Sequence, residues 1–268
     1  MTDHHIHFGQ WHEIYYNPEN VITAVKECGT NEVWCSSTSS EIYCKDSYDI
    51  RDNDILRQNA PTARQLYEAV RSEMHAAIET AGQIGVTIHP LYWVIPEVHF
   101  ANAVNVAEAM SDLPYEGFKL HPRGNHWDLS DGRTAALADE LFDYADNHKM
   151  MILIHCGIDD IERPTLFEPF IAHCQNVTVQ LAHCRPVCQI LYMLRTYPNT
   201  VCDTAFADSQ DVNKIIDAGF ANRLRYGSDF PITHYLSEHP QCDEDVTVER
   251  LMRFVHKVKI CMRSCCIK

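Results

Sequence analysis

A closed (β/α)8 barrel in a single domain is the fold the sequence predicts, and three observations predict it. Eight short β-rich runs recur along the chain, helical stripes separate them, and 268 residues is close to the usual length of such a barrel. The runs are Thr2 to Phe8, Glu32 to Thr38, Val86 to Val94, Gly117 to His121, Met151 to Cys156, Val177 to His183, Thr200 to Phe206 and Arg223 to Asp229. Between them, apolar residues keep the i, i+3, i+4 spacing of helices that cover a sheet. These are Val21, Ala24, Val25 and Cys28 before Gly29, then Leu66, Val70, Met74, Ala77, Ile78 and Ala81 before Gly82, then Leu137, Leu141, Tyr144 and Ala145. Leu166, Phe170 and Ile171 follow, then Val187, Leu191 and Leu194, then Val212, Ile215 and Ile216 before Gly219. An open doubly wound sheet is the other architecture this alternation permits. No linker, internal repeat or low-complexity tract appears, so residues 1–268 are assigned to one domain. Ser39 to Thr62, with Asp46, Asp49, Asp52, Asp54, Arg51 and Arg57, reads either as an excursion over the barrel mouth or as a solvated loop.

Composition narrows the function classes. Lys plus Arg number 22 against 37 Asp plus Glu, and a net charge of −15 repels phosphate backbones, so no nucleic-acid partner is expected. No apolar run approaches the roughly 20 residues of a membrane helix, and Met1 to Phe8 lacks the basic-then-apolar pattern of a secretory signal. The expectation is a cytoplasmic protein with no membrane partner, acting on a small molecule; a homo-oligomer is allowed but not specified. The 12 cysteines are scattered in a chain large enough to need no disulfide staples, so reduced thiols are expected. The 16 histidines are the more pointed excess, because imidazole is the commonest metal ligand.

Those histidines fall where a barrel builds its site, at the carboxyl ends of strands. The first run ends His5-Ile6-His7, and alternation puts both imidazoles on one face. The fourth ends Lys119-Leu120-His121, the fifth in His155, the sixth in His183 and the eighth in Asp229. Any one of these alone reads as an ordinary core residue. Together they predict a metal site, and imidazole with carboxylate suits a divalent ion, zinc first, with manganese, iron or cobalt as alternatives.

With the motifs Asp3-His4-His5-Ile6-His7, Ile154-His155-Cys156-Gly157, Leu181-Ala182-His183-Cys184 and Gly227-Ser228-Asp229-Phe230-Pro231 in this order, the chain resembles the amidohydrolase superfamily, particularly its amidohydrolase-related branch. The resemblance implies a metal-dependent hydrolase in which His5, His7 and Asp229 hold an ion together with His155 or a bridging group. It leaves two metal counts open. In mononuclear relatives the residue matching His183 is a catalytic acid or base. In binuclear ones a carboxylated lysine, matched here by Lys119 in Lys119-Leu120-His121-Pro122, bridges two ions, and His155 and His183 hold the second. A lysine facing inward among histidines and a metal should lose its proton more readily than in water, which carboxylation requires. Two departures are visible: Phe8-Gly9 stands where dihydroorotases carry an arginine, and no Asn-Ala pair follows between Val246 and Lys268.

A bound ion would lower the pKa of its water from about 15.7 towards 7, and Asp229 could take the proton while His183 completes a second site or donates to an oxyanion. Arg123 and Arg185, just past the fourth and sixth runs, are candidate contacts for a substrate carboxylate or phosphate, with Trp127 and also Trp11, His12, Trp93 and His126 as an aromatic wall. Cys156 and Cys184 should turn away from the ion, while Asp203, His89 and His121 are candidates to orient its ligands. The leading expectation is hydrolysis of an amide, cyclic amide, lactone or ester bond in a small, anionic molecule. The alternatives are non-oxidative decarboxylation of an aromatic or enoic acid, and a barrel that binds without turnover. The cysteine-rich tail Lys257 to Lys268 has no assigned role; Cys265-Cys266-Ile267-Lys268 matches a prenylation box only loosely.

Overall fold

The computed structural model describes residues 1–11, 14–40 and 62–238. His12, most of the Ser39 to Thr62 stretch and the tail with Cys261, Cys265 and Cys266 lie outside them. Nine strands form one sheet: β1 (Thr2–Trp11), β2 (Ile14–Tyr16), β3 (Glu32–Ser37), β4 (Thr87–Trp93), β5 (Gly117–Leu120), β6 (Met151–Ile154), β7 (Thr178–Leu181), β8 (Thr200–Asp203) and β9 (Leu224–Arg225). The order is β2-β1-β3-β4-β5-β6-β7-β8-β9, and every neighbour pair is parallel except the β1–β2 hairpin. The chain past β9 then returns to β1. His4 N–H donates to Tyr226 O at 2.9 Å, Asp229 N–H to His5 O at 2.8 Å and His7 N–H to Phe230 O at 2.7 Å, so the eight-strand ring closes as a barrel. That seam joins the two histidines of β1 to the acid of the final turn.

Helices follow the strands around the outside: α1 (Pro18–Glu27), α2 (Ala63–Ile84), α3 (Pro96–Phe100), α4 (Val106–Asp112), α5 (Gly132–His148), α6 (Glu168–Ile171), α7 (Val187–Thr196), α8 (Ser209–Asp217) and α9 (Ile232–Glu238). Local sequence sets their ends. Thr62 and Gln65 form a reciprocal capping box at the start of α2, and Gly85 ends it in the left-handed region at φ 69°. Asp131 accepts from Thr134 N–H at the start of α5. Most of the apolar stripe read from the sequence on the two long helices is buried, Leu66, Val70, Met74, Ala77 and Ala81 on α2 and Leu137, Leu141 and Ala145 on α5, while Ile78 and Tyr144 are only partly so. Each buried Leu or Met there contributes roughly 1.5–3 kcal/mol of apolar transfer. No described helix is long and apolar enough to cross a membrane.

The strands deviate from expectation at both ends. β6, β7, β8 and β9 stop at Ile154, Leu181, Asp203 and Arg225, short of His155, His183, Phe206 and Asp229. After β7, β8 and β9 the reason is backbone conformation: His183, Cys184, Phe206 and Asp229 have φ of 71°, 51°, 52° and 55°, which no strand ladder accommodates. His183 and Asp229 therefore sit on turns beyond the strands, whereas His5, His7 and Lys119 lie within them. β1 runs on to Trp11 to pair with β2, a three-residue strand whose pattern is too short to detect. Gly9, at φ 100°, permits this extension, since a Cβ there would lie 2.6 Å from Glu73 Oε2.

Candidate metal centre

His5 and His7 project from β1 into the barrel mouth, both buried, with ring centroids 4.9 Å apart. Each has its Nδ1 engaged by the fold. His5 Nδ1 is 3.1 Å from Asp203 Oδ2, and His7 Nδ1 is 3.0 Å from Ser36 Oγ and 3.3 Å from Ser36 O. That leaves the two Nε2 atoms, and both face Asp229: Oδ1 lies 3.6 Å from His5 Nε2 and 3.0 Å from His7 Nε2. One donor atom from each of His5, His7 and Asp229 falls within 4.8 Å of the others, as does a second group, His5, His183 and Asp203. The first is the open one. In the second, Asp203 is already committed, accepting from Gln180 Nε2 at 2.7 Å and from the backbone of His183 and Ala205.

Lys119 enters from β5, buried at 1% exposure, with Nζ 3.1 Å from His5 Nε2 and 5.6 Å from the Trp93 ring centre. His155 and His183 form the adjoining half of the site. His183 Nδ1 is 3.0 Å from Ala205 O and 4.0 Å from Asp229 Oδ2, its Nε2 is 2.9 Å from His155 Nδ1, and its ring centre is 5.3 Å from that of His5. His155 thus faces His183, and its Nε2 meets Glu162 Oε1 at 3.2 Å. His121 stacks on His155 at 3.9 Å and on Trp93 at 5.7 Å, and its Nδ1 accepts from Gly124 N–H.

The electrostatics suit cation binding. Burial lowers the pKa of His7 to about 4 against the pull of Asp229. Burial, reinforced by neighbouring cations that include Lys119 or Arg185, holds His121, His155 and His183 well below the usual imidazole range. These rings are neutral near pH 7 and carry a lone pair. Burial alone would raise Asp203 and Asp229, but His5 and the other histidines outweigh it, leaving Asp203 at about 2 and Asp229 well below its ordinary value. Neutral imidazoles beside ionised carboxylates are the donor set that zinc and similar divalent ions take.

The residues expected from the sequence to meet substrate have the following surroundings. Arg185 Nε–H donates to Cys156 O at 3.2 Å. Arg123 is about half exposed, with NH1 3.6 Å from Asp159 Oδ2. Trp127 is buried at 1% exposure, and its indole nitrogen has no hydrogen-bond partner among the described residues. Trp93 Nε1–H donates to Asn125 Oδ1 at 2.6 Å. Cys156 and Cys184 are buried and donate to Ile154 O and Asp203 O. His89 is a correction: it sits between Glu32 and Glu116 and stacks on Trp34, near the start of the barrel strands. It lies four residues before the end of β4, about 13 Å of strand from the mouth, too far to orient a ligand there. Glu162 and Ser36 were not singled out from the sequence. Glu162 lies in an acidic turn, Asp159-Asp160-Ile161-Glu162, that reads as surface, and only its burial sets it apart.

A family model described as amidohydrolase matches residues 55–251. The chain belongs to the amidohydrolase family. The match takes in Lys119, His155, His183 and Asp229, while the His5-Ile6-His7 strand precedes it. Among solved structures, the barrel is similar to amidohydrolase II (TM-score 0.54, 13% identity, 96% of this chain and 98% of that one). It is also similar to 2,6-dihydroxybenzoate decarboxylase complexed with 2,6-dihydroxybenzoate and to 5-carboxyvanillate decarboxylase from Sphingomonas paucimobilis. Each of these has a TM-score of 0.54 and 10% identity over 86% of this chain and 88% of that one. At such identities the likeness to this amidohydrolase is one of fold. No curated protein matches the chain.

Proposed function

We propose that this amidohydrolase is a metal-dependent hydrolase that cleaves a C–N or C–O bond, as in an amide, cyclic amide, lactone or ester, of a small anionic molecule. The observation that carries the reading is the pair of Nε2 atoms of His5 and His7, both aimed at Asp229 while their Nδ1 atoms are held by Asp203 and Ser36. His5, His7 and Asp229 would hold a divalent ion, zinc in the first instance; His155, His183 and Lys119 are the groups available to a second ion. When bound, the ion supplies a Lewis acid for a carbonyl oxygen and a water of lowered pKa.

The protein's own groups do the rest. Asp229, ionised and wedged between two imidazoles, accepts a proton during attack and returns it to the leaving group. A carbonyl can only accept, so His183 carries its proton on Nδ1, towards Ala205 O, and offers a lone pair at Nε2. His183 therefore acts as ligand or proton acceptor rather than as an oxyanion donor. Arg185 and Arg123, on the loops beside His183 and His121, orient a substrate carboxylate or phosphate. Trp127, whose backbone N–H donates to Pro122 O on the loop of Arg123, is the aromatic group that would back this substrate site.

Decarboxylation of an aromatic or enoic acid is the second reading, favoured by one observation: His183 stands beside the His5, His7 and Asp229 group as a separate proton-handling residue with Arg185 near it. Metal-loaded protein assayed against amides, lactones, esters and aromatic acids decides between them. Hydrolytic turnover lost in Asp229→Asn supports the first reading. Carbon dioxide release without hydrolysis replaces it with the second.

A further inference from the structure

Glu162 is a buried carboxylate beside the histidine pair that the proposed reaction does not use. It closes the short turn Asp160–Glu162 after β6 and is 2% exposed. Gly157 N–H donates to Glu162 O at 3.1 Å, which folds the loop back over the strand end. The carboxylate then rests where a Gly157 side chain would be, since a Cβ there would overlap Oε2. Its Oε1 is 3.2 Å from His155 Nε2, while Oε2 is buried with no hydrogen-bond partner among the described residues. Leaving a carboxylate oxygen so placed costs roughly 1–3 kcal/mol or more, which argues for a compensating role.

Tautomers give that role. His183 carries its proton on Nδ1, so its Nε2 presents a lone pair to His155 Nδ1, 2.9 Å away. A carboxylate at the far side of His155 draws the ring proton to Nε2. In that form both facing nitrogens are lone pairs, so a cation rather than a shared proton would join them across the 2.9 Å contact. We infer that Glu162 is a positioning residue that fixes His155 in its Nε2–H form, so that Nδ1 is presented with His183 Nε2 to a cation. This rests on the metal reading above and adds a residue that orients a ligand without touching the ion.

The test uses the full chain with zinc alone as the probe. Zinc affinity is measured by competition with a chromophoric chelator, and the His155 tautomer by 15N NMR of the zinc-loaded, histidine-labelled protein. Glu162→Ala is expected to weaken zinc binding roughly ten- to a hundredfold. Glu162→Gln should restore most of it, because an amide oxygen still accepts from Nε2–H. Gly157→Ala, which displaces the carboxylate while leaving Glu162 in the sequence, should weaken binding as Glu162→Ala does, and decides the matter if Glu162→Ala fails to fold. Zinc binding unchanged in both Glu162→Ala and Gly157→Ala, or a His155 proton found on Nδ1, overturns the inference while leaving the metal reading intact. Wild-type protein that takes up no zinc overturns both.

Discussion

Asp203 illustrates how much a single residue organises. Its two oxygens receive His5 Nδ1, Gln180 Nε2 and the backbone N–H groups of His183 and Ala205, so one carboxylate orients a histidine of β1 and shapes the turn that carries His183. Asp203→Asn keeps the volume but exchanges an acceptor for a donor amid donors. We expect stability to fall by roughly 3–5 kcal/mol in urea titrations, and zinc affinity by roughly ten- to a hundredfold. An Asp203→Asn protein with wild-type values for both would show that His5 is held by other means. At this scale the sequence was legible wherever strand alternation applies. His5 and His7 share a face as alternation requires, and Asp203 was readable as an orienting carboxylate. Glu162 was not, because nothing in an acidic turn announces that one of its carboxylates is buried, and His89 misled because a histidine on a strand does not disclose which end it occupies.

At the scale of elements, the end of β3 and the turn after it are tied to α2 by Glu73, whose buried carboxylate accepts from Ser37 Oγ and from Ser39 Oγ at 2.7 Å, and Ser39 Oγ in turn accepts from Gln10 N–H of β1. Gly9 makes room for it. Gly9→Ala combines a left-handed backbone with a 2.6 Å approach to Glu73, and is expected to cost roughly 1–3 kcal/mol, read as a lowered thermal midpoint. Thr62→Ala, which removes the α2 capping box, should cost roughly 1 kcal/mol by the same measurement. A Gly9→Ala midpoint equal to wild type would mean that the hairpin is not packed as described. The long helices α2 and α5 were the most legible, since most of their apolar positions read from the sequence are buried; the shorter ones were less so, with Leu166 and Ile216 exposed and Ile190 and Met193 buried on α7. Strand ends were less so: the left-handed residues His183, Cys184 and Asp229 are not glycines, and only the surrounding fold forces them into that conformation.

For the molecule as a whole, buried titratable groups set the response to acid. His4, His7 and His99 are each lowered to about 4, chiefly by burial, from an ordinary value of 6.5. The unfolded chain therefore binds more protons between those limits, and folding stability falls as the pH drops from about 6.5 to 4. Asp203, at about 2 against 3.8, contributes stability present above its unfolded value and lost as the pH falls through about 2. Asp3 opposes this trend, since burial raises it to about 6, so its penalty grows as the pH rises past the unfolded value. With His121, His155 and His183 also lowered by burial, the lowered histidines outnumber the raised carboxyls of Asp3, Glu73 and Glu162, and the thermal midpoint of metal-free protein is expected to decline between pH 6.5 and 4. A flat profile there would contradict the burial of those rings. The closed barrel was readable from eight alternations of strand and helix; the particular hydrogen bonds that close it, through His4, His7 and Asp229, were not, because no local pattern encodes which distant atoms meet.

The central claim is that His5, His7 and Asp229 hold one divalent ion. Anomalous diffraction from crystals loaded with zinc or manganese tests it most directly. A peak is expected about 2.0–2.2 Å from His5 Nε2, His7 Nε2 and an Asp229 oxygen. A peak elsewhere with those three side chains unliganded, or no peak at saturating metal, would contradict it.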